Sequence, residues 1–397
     1  MRLRAERIVT PAGVVAGEIS IHDGLIVGVD TSAFGPLGAV DAVDAAALGP
    51  LVDLGDRWLV PGFIDGHVHG GAGRQCNSAE PSDVLAVAQF HARHGTTALL
   101  ATTVSASVAE LCDALGAIAR ACAWGGAGAT VLGAHLEGPF LSRARPGAMD
   151  PSTFLEPSEE VLARLLAAGE GQVRMVTLAP ELPGAVALTR SLVTAGAVVS
   201  LGHTEAGFLR TAEAVEAGAR SVTHLYNAMG PIHHRTPGVV GAALDLADIN
   251  CELIADEMHV SAPALRLALA AKGRGGVRLV TDAISAAGMG DGEFLLGSVP
   301  ARVVDGRARV VQGDALAGST LTMDRAVAGA VRMLGLGVPE AVGLASANPA
   351  RLLGIDDRKG AIAIGMDADL AVLDEELRCC GTVVGGRWVF GPELPGG

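Results

Sequence analysis

Between residues 62 and 284 the chain repeats one pattern: an apolar run of strand length, a polar side chain at its end, then a stretch with helical spacing. The runs are GFIDGHVH (62–69), TALLATTV (97–104), VLGAHLEG (131–138), VRMVTLAPE (173–181), VVSLGHT (198–204), SVTHLYN (221–227), CELIADEMHV (251–260) and VRLVTDAI (277–284). Helical patterns fall between most of them, as in 81–94, 107–123, 157–169, 206–218 and 262–272. About eight β/α units predict an α/β fold of the parallel (β/α)8 barrel type, the TIM barrel. Nearly every run is apolar until it delivers His67 and His69, Glu137, His203, His224, His259 or Asp282. A barrel builds its active site where strands end.

The first of these runs carries two histidines one residue apart, in PGFIDGHVHG (61–70), in a chain with only 11 histidines. Residues i and i+2 of a strand point to the same side. His67 and His69 are therefore expected to present both imidazoles on one face as the strand emerges.

The two ends read differently. Residues 1–60 break into short strands and turns, including GEISIHDGLIVGVD, and residues 355–397 return to that style in GAIAIGMDADLAVLD and GTVVGGRWVF. Both ends are expected to form one small β-sandwich domain (1–60 with 355–397) beside a catalytic barrel of residues 61–354.

Composition narrows the function. A net charge of −14 and 3% aromatic residues argue against nucleic acid, which needs positive charge and stacking surfaces, and against anionic membranes. Lys272 and Lys359 are the only lysines, so an anionic substrate must meet arginine, histidine or backbone N–H groups. The abundance of glycine and alanine predicts an aliphatic, tightly layered interior. Six cysteines without C-x-x-C spacing, no apolar leader at MRLRAERIVT and no run of about 20 apolar residues point to a cytoplasmic protein.

Zinc and similar divalent ions favour imidazole and carboxylate ligands, and catalytic sites leave a position open. His67, His69, Glu137, His203 and His224, expected on strands one, three, five and six, suffice for one ion or for two sharing Glu137. Asp282 in LVTDAIS is placed as a proton-transfer base.

The chain resembles the amidohydrolase superfamily, and within it the N-acetylglucosamine-6-phosphate deacetylases. The resemblance spans PGFIDGHVHGG, GAHLEGPFLS, TLAPE, SLGHT, THLYNAM, R-T-P-G (235–238), LVTDA, LAGSTLTM and the closing GMDADLAVLD. It implies hydrolysis of the acetamide of N-acetylglucosamine 6-phosphate to glucosamine 6-phosphate and acetate, in amino-sugar catabolism and cell-wall recycling. It also implies one or two divalent ions per chain, zinc first, with iron, manganese or cobalt compatible. Glu137, His203 and His224 match the main metal's ligands, His67 and His69 a second-metal pair, and Asp282 the general base and acid. Asn227, the backbone of Ala228, Arg235 and His259 match the groups that hold the sugar phosphate, with Arg235 supplied across a homodimer interface. Leu316, Ala317 and Gly318 match a loop lining the sugar pocket.

The sequence departs from that pattern twice. Related chains usually carry Gly-Ala-His where this one has Gly147-Ala148-Met149, at the substrate contact expected of Ala148 and its neighbour. A usual glycine is replaced by Glu257 in Asp256-Glu257-Met258-His259. These departures leave open a deacetylase for another phosphorylated amino sugar, such as the galactosamine epimer, or a non-catalytic sugar-phosphate-binding relative. A cyclic amidase would need a carboxylated lysine at the end of strand four, where this chain reads TLAPE.

Overall fold

The computed structural model describes residues 1–31, 35–39 and 49–391. Residues 32–34, 40–48 and 392–397, all within the segments assigned above to the small domain, lie outside the described residues.

Eight parallel strands form the barrel sheet in chain order: Phe63–Val68, Thr96–Thr103, Thr130–Glu137, Val173–Leu178, Val198–Leu201, Ser221–Val222, Asn250–Leu253 and Val277–Leu279. The ring closes through a bridge between Val68 and Ala283. There the Asp282 N–H donates to the His67 carbonyl (2.9 Å) and the His69 N–H to the Ala283 carbonyl (2.8 Å). Asp65 reinforces this seam: its carboxylate accepts from the Thr281 hydroxyl at 2.6 Å. Burial pushes the Asp65 carboxyl up to about 6, partly offset by its bonds from Thr281 and the His67 backbone.

The predicted helices appear as Pro81–Ala92, Val108–Trp124, Glu159–Ala168, Phe208–Glu216 and Ala262–Lys272. Ser107 and Glu110 form a reciprocal capping box at the second, satisfying N–H groups that a helix start leaves open. Helices Ala185–Thr194, Gly238–Asp245 and Met323–Leu334 complete the ring. An antiparallel three-stranded sheet, Gly292–Leu296, Val299–Val304 and Arg307–Val310, interrupts the last unit and was not expected.

Strands five to eight are shorter than the runs 198–204, 221–227, 251–260 and 277–284. Their last residues leave the sheet, so His203, His224, His259 and Asp282 sit on loops rather than on strands. The interior is also less aliphatic than composition suggests. Beneath the mouth, buried hydroxyls connect Thr177 to Thr223 (2.8 Å), Thr223 to Ser200 (2.6 Å) and Ser200 to Ser221 (2.8 Å).

The chain ends build a nine-stranded sheet. Trp58–Pro61 joins them, pairing with Arg2–Thr10 on one side and Leu370–Leu373 on the other. The strands are hydrogen-bonded into one continuous sheet with an apolar cluster of its own, including Leu3, Ile8, Ile19, Ile26, Leu59 and Leu370. Lys359, after the last barrel helix, bonds Asp367 at 2.9 Å and Asp369 at 2.5 Å. Among the described residues no helix is long and apolar enough to cross a membrane.

Gly62 marks the passage from sheet to barrel. A Cβ there would lie 2.2 Å from Thr97 Cγ2 and 2.7 Å from Thr97 Cβ, so the two strands can approach only without a side chain. Gly62→Ala is expected to destabilise the protein by about 1–3 kcal/mol through overpacking, read as a lower midpoint in denaturant. An unchanged midpoint would mean that the strands part freely.

Candidate metal centre

Glu137, the last residue of strand three, is 1% exposed and is the hub of the barrel mouth. Its Oε1 lies 3.2 Å from His203 Nε2 and 3.1 Å from His224 Nε2. Its Oε2 lies 3.5 Å from His67 Nε2 and 3.4 Å from His69 Nε2. Asp282 Oδ1 faces the second pair, 3.1 Å from His69 and 3.5 Å from His67. Three groups are close enough to hold a cation: Glu137 with His203 and His224, His67 with His69 and Asp282, and, behind these, His67 with His135 and Glu252.

The ring nitrogens turned away from this cluster decide which tautomer faces it. His203 Nδ1 is 2.9 Å from the Arg145 carbonyl, and His69 Nδ1 is 3.2 Å from the Thr102 carbonyl. His67 Nδ1 is 3.0 Å from Glu252 Oε2. A carbonyl or carboxylate only accepts, so each of these three Nδ1 atoms carries hydrogen and leaves Nε2 as the atom that faces the cluster. The Nε2 atoms stand 3.0 Å apart between His67 and His69, and 3.1 Å apart between His203 and His224. Imidazole nitrogens gathered this closely around carboxylates are a donor set of the kind that holds a cation.

Charge points the same way. Glu137, Glu252 and Asp282 meet here, and Arg278 is the one guanidinium among the described residues that bonds any of them. Burial opposes charge on His67, but Glu137, Glu252 and Asp282 overcome it and draw a proton onto the ring, well above the usual histidine range. Burial likewise disfavours an ionised Asp282, yet His67 and His69 hold it below the usual aspartate range. The donor set, in type and burial, therefore fits one or two divalent ions.

The loops achieve this with a strained backbone. His203, His224 and Asp282 have φ of 47°, 30° and 51°, as do Tyr226 and Ala228 in the next turn at 80° and 50°. Left-handed conformations at non-glycine residues are uncommon and gather at functional sites. Each bends the chain out of the barrel and turns its side chain over the mouth.

The pocket above the cluster is lined by His69, Glu137, His203, His224 and Asp282, with Asn227, Ala228, His259, Ala148, Met149, Leu316 and Gly318 around them. Ala317 is not on that lining; it is fully buried in the apolar cluster beneath. Arg235 is also outside the lining, on an exposed loop, where its guanidinium contacts His234 at 2.8 Å. Arg143, exposed at the surface, donates to the Pro151 and Phe154 carbonyls at 2.8 Å each and so fastens the loop that carries Met149. Glu257 has φ of 65°, which explains a glycine at this place in related chains, and its carboxylate pairs with Arg332 at 3.0 Å. His259 Nδ1 lies 2.7 Å from Asp256 Oδ2. Burial works against its charge, but Asp256 overcomes it and raises the imidazole above its usual range.

Sequence reasoning missed Glu252, Arg278 and His135. Glu252 and Arg278 are direct cross-strand partners on strands seven and eight, joined at 2.7 Å and both buried. One acid and one base inside CELI and VRLV, runs otherwise apolar, were the available signal. His135 rests between the Thr177 hydroxyl (2.7 Å) and the Thr102 hydroxyl (3.4 Å), and burial with His67 nearby pushes it down to about 3.

Comparison with known proteins agrees with this architecture. The Amidohydrolase family model matches residues 58–389, and the chain belongs to that family. It is 38% identical over 335 residues to the N-acetylglucosamine-6-phosphate deacetylase of Lysinibacillus sphaericus, covering 83% of this chain and 85% of that one. It is equally 38% identical, over 377 residues, to an N-acetylgalactosamine-6-phosphate deacetylase of Escherichia coli O157:H7, covering 94% and 95%. A mutant N-acetyl-D-glucosamine-6-phosphate deacetylase from Mycobacterium smegmatis, solved with N-acetyl-D-glucosamine-6-phosphate, superposes with a TM-score of 0.90 at 37% identity, over 98% of this chain and 99% of that one.

Gly318 holds the pocket wall against Asp282. At φ of 54° a Cβ would stand 2.7 Å from both the Asp282 carbonyl oxygen and Ile284 Cγ2, and 3.5 Å from Asp282 Oδ1. Gly318→Ala is expected to cost about 1–3 kcal/mol from backbone strain and overlap, read by thermal unfolding. A variant melting with the parent would show that the loop yields without strain.

Proposed function

We propose that the protein hydrolyses the acetamide of an N-acetylated amino-sugar 6-phosphate, N-acetylglucosamine 6-phosphate first, releasing acetate and the free amine. The observation that carries the reading is the placement of Asp282 beside the histidine pairs at the floor of the pocket, its Oδ1 3.1 Å from His69 Nε2. The curated relatives named above support the substrate class.

Glu137, His203 and His224 would hold one divalent ion, zinc by ligand type, with iron, manganese or cobalt compatible. His67 and His69 would hold a second. When bound, such an ion supplies Lewis acidity to an amide carbonyl and makes water more acidic. Asp282 takes the proton from the attacking water on its carboxylate and returns it to the nitrogen as the carbon–nitrogen bond breaks, so the amine leaves neutral. Ionised by its histidine neighbours, Asp282 starts in the form that accepts.

His259 suits the phosphate end. With Nδ1–H committed to Asp256 and its affinity for protons raised, the ring is disposed to offer Nε2–H to an anion. Asn227, the Ala228 backbone and Ala148 form the adjoining wall, with Leu316 and Gly318 also lining the pocket. Arg235 would complete the site from a second copy of the chain, because within its own chain it stands on an exposed loop away from the pocket. We read the working unit as a cytoplasmic homodimer.

A second reading, the galactosamine epimer, is favoured by Met149. Its thioether lines the pocket but offers no conventional hydrogen-bond donor. Primary amine released from the acetylated 6-phosphates of glucosamine and galactosamine, and from the unphosphorylated sugars, decides between them. Faster release from the glucosamine compound supports the first reading, a preference for the galactosamine compound the second, and none from either phosphate refutes both.

Asp282→Asn should lower deacetylation by a thousandfold or more while metal stays bound, since an amide neither takes nor returns the proton. Near-parent turnover would remove Asp282 as the base. Mixing Arg235→Ala with Asp282→Asn protein under subunit exchange should restore activity, because a heterodimer then holds one intact composite site. No recovery despite proven exchange would assign Arg235 to its own chain.

A further inference from the structure

We propose that Glu252 is a positioning residue that couples the two halves of the metal centre, with Arg278 holding its carboxylate in place. The inference rests on reading the histidine cluster at the barrel mouth as a metal centre, and it gives Glu252, which groups with His67 and His135, the task of supporting the two ligand sets at the mouth.

The two oxygens of Glu252 have separate tasks. Oε1 receives the Arg278 guanidinium at 2.7 Å. Oε2 receives His67 Nδ1 at 3.0 Å and the backbone N–H of His224 at 2.9 Å. At the mouth, His67 belongs to the group with His69 and Asp282, and His224 to the group with Glu137 and His203. One oxygen therefore touches a member of each.

The two contacts hold their partners differently. At His67, Glu252 accepts the hydrogen bond from Nδ1 and so turns Nε2 toward the cluster. A carboxylate on the far nitrogen also makes a ligating imidazole more basic. At His224 the ring gives no such handle: Nδ1 is buried and has no hydrogen-bond partner. What fixes that side chain is its backbone, bent to φ of 30°, and the N–H of that same residue is bound to Glu252. Among the four imidazoles, His203 and His69 are oriented by backbone carbonyls, and only the remaining two depend on Glu252.

Arg278 lets a carboxylate occupy this place. The pair sits in direct register across strands seven and eight, and Arg278 is further tied to Asn250 Oδ1 at 2.7 Å and Ser221 Oγ at 2.8 Å. An ion pair serving stability alone would not need its second oxygen shared between the two ligand groups.

The test separates positioning from stability. Parent, Glu252→Gln and the charge-free double variant Glu252→Gln/Arg278→Met are stripped of metal and titrated with zinc against a chromophoric chelator. Thermal unfolding and the visible spectrum of the cobalt-loaded forms are recorded alongside. Glu252→Gln should bind each ion about 10–100-fold more weakly and change the cobalt spectrum. The double variant should regain unfolding temperature without regaining affinity. Folded variants that follow the parent's zinc curve and cobalt spectrum would overturn the proposal, and weakening of one ion alone would overturn the coupling. A parent that binds no zinc would instead refute the metal-centre reading beneath it.

Discussion

A single buried carboxylate shared among four imidazoles is the constraint around which this molecule is organised. Glu137 has no solvent to stabilise its charge, and burying an unpaired carboxylate is expensive enough that such groups neutralise instead. Here burial is outweighed by His67, His203 and His224, which hold it well below the usual carboxylate range. The surrounding histidines come from strand one and from the loops after strands five and six. Only a closed barrel brings those positions, far apart in the chain, to one point above the end of strand three.

The layer behind the ligands is as specified as the ligands. Carbonyls of Arg145 and Thr102 and the carboxylate of Glu252 set the outward face of three rings, so that Nε2 of each faces the cluster. Below them the threonine and serine hydroxyls replace part of the aliphatic filling usual for a barrel interior. These groups satisfy one another, which is the condition under which buried polar side chains rigidify a core rather than weaken it.

The two departures from the related pattern, Met149 and Glu257, lie on loops, where the constraints are looser. They differ in consequence. Glu257 is exposed, paired with Arg332 and absent from the pocket lining, so its charge is compensated outside the site. Met149 is buried at the pocket wall among apolar neighbours and has no such outlet. A change in substrate preference is therefore more readily explained through Met149 than through Glu257.

The barrel, the terminal β domain and the histidines and carboxylates that meet at the barrel mouth were all legible in the sequence. An apolar run that stops at a histidine, glutamate or aspartate is a local pattern, and repeating it along the chain leaves few other folds. His67 and His69 could be placed on one face from strand periodicity alone. Tertiary structure decided what depends on two distant segments meeting. It ended strands five to eight early, because left-handed turns at His203, His224, Glu257 and Asp282 leave no trace in residue type. It placed an antiparallel sheet inside the eighth unit. It also paired Glu252 with Arg278 across neighbouring strands, turning two isolated charges in apolar runs into the support behind His67 and His224. Register between strands is set by packing around the whole barrel, and no short stretch of sequence contains it.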